Sequence, residues 1–122
     1  MNKQADPAWV RGLMMDFPDL EPLYEAHVKE FGKLLPHLLF GDVVRWAVAA
    51  SEAGNIETVR SFANRLEHDY PDLDSGSRNL IEVSFVEDLP SLGQVGAEIG
   101  QLLGPALRDE YVRTHHRAGM GG

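Results

Sequence analysis

Residues 41–71, GDVVRWAVAASEAGNIETVRSFANRLEHDYP, decide the fold, because they read as two helices joined by a tight turn. In the first half Val43, Val44, Ala47, Val48 and Ser51 recur at i, i+1, i+4, i+5 and i+8, which lays one narrow apolar stripe along a helix. Gly54 then supplies a residue able to take positive φ, and Asn55 is placed to cap the next helix. In the second half Val59, Phe62, Ala63, Leu66 and Tyr70 follow i, i+3, i+4, i+7 and i+11. Pro71 lacks the backbone N–H that would continue the helix, so it ends there. So short a link dictates antiparallel packing of the pair.

Outward from the hairpin, further helices follow by the same logic. Asp6-Pro7 is a capping carboxylate followed by proline at the first helical position, and Trp9, Val10, Leu13 and Met14 carry that helix to about Asp16. Phe17-Pro18 breaks it. A second helix sets Leu20, Leu23, Tyr24, His27, Val28 and Phe31 on one side, and Gly32 closes it. The link KLLPHLLF is too apolar for a solvated loop and predicts a short buried helical turn near Pro36, after which Gly41-Asp42 restarts the chain. Asp42 would then meet the positive end of the first hairpin helix.

Beyond the hairpin, DLDSGSR reads as a connector in which Ser75 or Ser77 caps the next helix. RNLIEVSFVEDLP fits both periods: Ile81, Val83 and Phe85 alternate like a strand, whereas Leu80, Ile81, Ser84 and Phe85 fit a helix. A lone strand would leave its backbone groups unpaired, so the helix is preferred, ending at Pro90. Leu92, Val95, Ile99, Leu102 and Leu103 predict a glycine-weakened helix to Gly104. Pro105 opens a last helix with Leu107 and Tyr111, fraying near His115 before a disordered tail at 118–122. Val59, Ala63 and Leu66 align at an offset of 36 with Val95, Ile99 and Leu102, and Val43, Val44, Ala47 and Val48 align at 37 with Leu80, Ile81, Ser84 and Phe85. The expected fold is therefore a single all-α domain over residues 1–117. It has six or seven short helices packed as stacked antiparallel hairpins, and the offsets raise a short helical-repeat-like array as a variant.

The chain has 122 residues and no cysteine, so disulfides, thiolate nucleophiles and Cys-based metal sites are excluded. No run approaches the roughly 18 apolar residues of a membrane span. The N-terminus lacks the apolar core of a signal peptide, which predicts a cytoplasmic protein with no membrane contact. The net charge of −8 repels phosphate and argues against nucleic acid as a partner. Between Glu67 and Asp88 stand seven acids and one base, Arg78, which is −6 in 22 residues and most of the net charge.

No motif for catalysis or a cofactor is present: no G-x-S-x-G, and no strand or lysine that would make Gly93, Gly96 and Gly100 a phosphate loop. These glycines read better as permitting close helix contact. His27 and Glu30 have the i, i+3 spacing of helical metal sites but no matching second pair, so a partly buried or surface histidine is the better reading. His37, in its apolar setting, reads as a satisfied core histidine, His68 as part of a solvated face, and His115-His116 as a terminal pair without a role. A helical enzyme would need His27, His37 and Asp42 to converge in one pocket. No cofactor and no metal are expected.

The acidic stretch is the candidate binding surface, with Asp69, Tyr70, Asp72, Asp74, Glu82, Glu87 and Asp88 as its residues. A solvated helix end would account for the charge alone. Clustering around a connector, with an aromatic residue among the acids, is what a binder of a basic protein site presents.

FPDLEPLYEAHVKEFGKLLPHLLFGDVVRW, NRLEHDYPD, RNLIEVSFVEDLP and LLGPALRDEY together resemble a group of small bacterial helical proteins of uncharacterised function, over about residues 17–111. These look like the immunity (antitoxin) partners of polymorphic-toxin and contact-dependent inhibition systems. The resemblance implies a non-catalytic protein that occludes a basic toxin domain by stoichiometric binding. The competing expectation is a helical adaptor or regulatory module with no toxin partner.

Overall fold

The computed structural model describes residues 4–91 and 93–120, with side chains as far as His115. Among these residues the chain is all-helical, as expected. Six α-helices run α1 Pro7–Met15, α2 Glu21–Phe31, α3 Pro36–Glu52, α4 Ile56–Asp69, α5 Ser75–Ile81 and α6 Pro105–Met120. Two 3₁₀ segments, Tyr70–Asp72 and Ala97–Leu102, and a π-helical turn at Glu82–Val86 complete them.

The α3–α4 hairpin is the centre of the fold. Val43, Val44, Ala47 and Ser51 of α3 are buried, as are Val59, Phe62, Ala63 and Leu66 of α4. Gly54 takes φ 85°, and Asn55 stands at the N-cap of α4 without a side-chain capping bond. Phe62 is fully buried and meets the rings of Phe17, Trp46 and Phe85 edge-on, with centroids 5.3, 5.7 and 5.5 Å away. Edge-to-face pairs of this kind add about 0.5–1.5 kcal/mol each beyond burial. One ring therefore joins α4 to α3, to the π turn and to the α1–α2 link.

The ends of the helices are fixed by side chains of distant elements. Asp6 caps α1 by accepting the Ala8 N–H at 3.0 Å. Trp9 Nε1 donates to Asp69 Oδ2 at 2.9 Å, and Arg65 Nε donates to the same oxygen at 2.8 Å while its other arm reaches Asp16 at 2.7 Å. This network ties α1 to the end of α4.

Several expectations are corrected. The chain does not restart at Gly41-Asp42: α3 is one helix from Pro36 to Glu52. Leu39, Phe40, Val43 and Val44 already form one buried stripe across Gly41. That packing outweighs the roughly 1 kcal/mol a helical glycine costs. The apolar link is only partly buried, with Leu38 52% exposed. Asp74, not Ser75 or Ser77, caps α5, accepting from Gly76 N and Ser77 N.

The segment that fitted both periods is helical, and the π turn explains why it fitted both. Leu80, Ile81, Ser84, Phe85, Val86 and Leu89 are all buried, and three consecutive inward residues do not fit the stripe of an ordinary helix. The wider turn, closed by Glu87 N–H to Glu82 O at 3.0 Å, rotates less per residue and turns all three inward. Val83 is left 41% exposed.

The glycine-rich stretch is not an α-helix. Gly93 and Gly96 both adopt φ 89°, which stops a right-handed helix, and only the 3₁₀ segment forms. Ile99 and Leu103 are buried, but Val95 is 64% exposed, and Leu92 lies outside the described residues. The counterpart of α4 in the 36-residue offset is thus a 3₁₀ segment, whereas the counterpart of α3 is helical. The expected close approaches at glycine do occur: a Cβ on Gly100 would stand 2.7 Å from the Tyr111 ring. Helix α6 continues to Met120 rather than fraying near His115, and of the expected tail Gly121 and Gly122 lie outside the described residues. No helix among the described residues is long and apolar enough to cross a membrane.

Candidate functional site

The two halves of the acidic stretch are joined by a hydrogen bond across 12 residues of chain. Pro71 ends the regular helix after Asp69 and folds Tyr70–Asp72 into a 3₁₀ turn, while the π turn carries Glu82. The Tyr70 hydroxyl donates to Glu82 Oε2, clamping one turn to the other. Glu87 stands one π turn above Glu82, through its N–H bond to the Glu82 carbonyl. Asp72 stands two residues beyond Tyr70 in the 3₁₀ turn, and Glu87 and Asp88 follow the π turn that carries Glu82. All three of these carboxylates are exposed.

Arg78 lies between the two turns in sequence and is engaged with the backbone of the 3₁₀ turn. Its guanidinium stacks 5.5 Å from the Tyr70 ring centroid, Nε donates to Tyr70 O at 3.1 Å, and the other arm reaches Pro71 O at 2.5 Å. The only base of the acidic stretch therefore holds the 3₁₀ turn in place. Burial, followed by the bond to Glu82 and the negative charge of Glu82 and Glu110, pushes the Tyr70 hydroxyl up to about 12. Tyr70 is a neutral donor over the whole physiological range.

The other candidates are spent on the fold. Asp69, only 18% exposed, accepts from Trp9 and Arg65, with His68 beside it at 3.2 Å. Burial works to raise its pKa, but the bonds from Trp9, Arg65 and His68 and the Arg65 charge outweigh it and hold the carboxyl below its ordinary value. Asp74 is exposed yet occupied by its cap; the Ser77 hydroxyl, then backbone N–H groups, lower its pKa. Among the described residues the seven thus divide into three exposed carboxylates, a Tyr–Glu clamp and two positioning acids.

Sequence reasoning missed Glu110. Its side chain is 12% exposed, pairs with Arg113, and lies close enough to Tyr70 to raise its pKa. No local signal marks it, because α6 comes to the clamp only through tertiary packing.

The histidines do not assemble. His27, 3% exposed, accepts the Leu35 N–H on Nε2 at 2.9 Å, and its Nδ1 is buried without a protein partner. It is therefore a core residue bracing the α2–α3 link rather than a surface one. His37 is exposed and bonded to Ser84, which corrects its reading as a core histidine. Asp42 pairs with Arg45. Among the described residues these three side chains have separate partners. His115 also has a place, stacking on Tyr111 with centroids 4.0 Å apart and contacting Leu89 O through Nε2 at 2.7 Å. Among the described residues no three histidine or acidic side chains are grouped to hold a metal ion. A shallow depression lined by Asp19, Gly54, Asn55, Glu57 and Thr58 contains none of the residues singled out above.

A family model described as a domain of unknown function (DUF7674) matches residues 11–118, and the chain belongs to that family. Neither a curated protein nor a solved structure matches it.

Proposed function

We propose that this protein is an immunity-type binder that works without catalysis, in the bacterial cytoplasm, by covering a basic site on a toxin domain. The observation that carries the reading is the Tyr70–Glu82 clamp, which joins the two turns beside which the exposed acids stand; on this reading those acids form one acidic edge. Asp72, Glu87 and Asp88 supply the contacts, and Tyr70 with Glu82 supplies the semi-rigid floor beneath them. Asp69 and Asp74 act by holding the ends of α4 and α5. Such an edge attracts a basic partner from a distance, an effect that weakens as salt shortens the electrostatic range. It repels nucleic acid for the same reason.

The experiment is co-expression of this chain with the product of the adjacent open reading frame. The expected result is that the product is toxic alone, is tolerated with this chain, and is retained on a tagged copy. Reversing Asp72, Glu87 and Asp88 together to lysine should abolish protection while leaving the helical content intact. A product that is neither toxic nor retained sinks the proposal. Retention without toxicity points instead to the helical adaptor.

A further inference from the structure

His27 sits on α2 with its ring buried at 3% exposure. The Leu35 N–H donates to Nε2 at 2.9 Å, so Nε2 presents a lone pair and the single ring proton sits on Nδ1. Nδ1 is itself buried and has no hydrogen-bond partner. The Phe31 ring, 4.9 Å away between centroids, offers no lone pair to it. Leu35 is the residue from which α3 starts, and Gly32, at φ 72°, is the turn by which the chain leaves α2. The link between these helices is therefore pinned to α2 by one bond into a neutral imidazole. α1 and α3 pack against α2. On α2 the acids Glu21, Glu25 and Glu30 and the base Lys29 are exposed, as are Arg11 on α1 and Lys33 in the link. On α3 His37 bonds to Ser84 and Asp42 pairs with Arg45. Among the described residues none of these groups, nor the half-buried Tyr24, hydrogen-bonds or pairs with the His27 ring.

We propose that His27 is an acid-sensitive pin for the α2–α3 link. A second proton has only Nε2 to go to, where it meets the Leu35 N–H head-on. Two buried donors and a buried charge would then stand without an acceptor, which the interior does not tolerate. The protonated ring must leave its seat, and the link opens with it. An open ring binds the proton that the closed ring has no place for, so acid favours opening and the pin holds where the imidazole is neutral. Opening carries the half-buried Leu34 and Leu35 toward solvent, on a stretch of chain where Phe31 and Leu38 are already 41% and 52% exposed. Acid thus enlarges an apolar surface there. No residue of the acidic stretch takes part, so the pin stands independently of the proposed function.

The test is amide hydrogen exchange on the full chain between about pH 7.5 and 5, read as protection at Leu35 and at Leu66. Leu35 protection should fall about tenfold for each unit of pH below about 6, the dependence that one coupled proton gives. Leu66 in α4 should stay protected, as local opening requires. His27→Gln keeps an oxygen able to accept the Leu35 N–H but takes up no proton, so it should abolish the pH dependence. His37→Gln removes the histidine two residues beyond Leu35 and should leave the dependence in place. Nitrogen chemical shifts of the His27 ring at neutral pH should report the proton on Nδ1, a readout that needs no variant to fold. Leu35 protection that is flat with pH, a dependence that survives His27→Gln, or a proton found on Nε2 overturns the pin. Loss of protection at Leu66 in step with Leu35 also overturns it, because the opening would then be global.

Discussion

The side chain of Glu67 in α4 occupies the place a Cβ on Gly104 would need, which would stand 2.4 Å from its Cγ. From there its carboxylate oxygens accept the Leu107 and Ala106 N–H groups at 3.0 Å each. α6 is therefore capped by a residue of another helix, and a carboxylate at that end also meets the positive pole of the helix. The most acidic stretch of the chain begins with an acid that works inside the fold.

Glu67→Ala should cost about 1–2 kcal/mol, the usual range for a lost N-cap. Gly104→Ala should cost a similar amount by pushing Glu67 away. Because both changes break one contact, the double variant should lose less than the sum. Urea unfolding of the four proteins checks this, and full additivity would refute the shared contact.

Asp69 makes stability depend on acid. Its folded pKa is below the ordinary 3.8, so its contribution is fully present above that value and is lost as pH falls through the lower folded one. Asp69→Asn should flatten this acid limb. Asp69→Ala should cost about 1–3 kcal/mol at neutral pH by leaving the Trp9 N–H and Arg65 Nε without their acceptor. Denaturation between pH 2 and 6, followed by tryptophan fluorescence, distinguishes the three proteins.

Tyr70 does the opposite at alkaline pH. Its folded pKa of about 12 exceeds its ordinary 10.0, so its contribution is complete below pH 10 and disappears as pH rises toward 12. Absorbance near 295 nm should show a late-titrating tyrosine that Tyr70→Phe removes. Glu82→Gln should bring its titration back toward 10, and an unchanged titration in that variant would show that the clamp is not formed in solution.

Phe62→Ala should cost about 3–5 kcal/mol, the range for removing a fully buried phenylalanine. It separates four elements at once, so it should lower the melting temperature more than Phe31→Ala, whose ring is 41% exposed. Comparable losses in the two variants would contradict the central position of Phe62.

Reversing the exposed acids should separate surface from scaffold. Asp72→Lys and Glu87→Lys should each change stability by no more than about 0.5 kcal/mol, as surface substitutions do. Glu82→Lys removes the acceptor of Tyr70 and should cost more than either. Thermal melts rank the three, and equal effects would mean that Glu82 is as free as the others.

Local pattern fixed most helices. Periodicity found both halves of the hairpin, and Asp6-Pro7, Gly32 and Pro105 marked helix boundaries, because capping and apolar spacing act within a few residues. The same local rules misread Gly41 as a break, since they do not include the packing of Phe40 and Val43 that carries the helix through it. They also read the stretch after Pro90 as helical, because glycine permits positive φ without demanding it, and spacing alone does not register that Gly96 is packed where a Cβ would crowd Pro90 and Val48.

At the candidate edge the division is sharper. Charge clustering at Asp69–Asp88 was legible, because charge is additive along a chain. Which acids are free was not. The partners that occupy Asp69, Glu82 and Glu67 come from Trp9, Tyr70 and the α6 backbone, at separations of 60, 12 and about 40 residues. The sequence by itself determined an all-helical chain with one acidic region. Only the tertiary structure decided that Asp72, Glu87 and Asp88 are exposed while Asp69, Glu82 and Glu67 are engaged within the fold, since hydrogen bonds between side chains of different elements form only where packing has already brought them into reach.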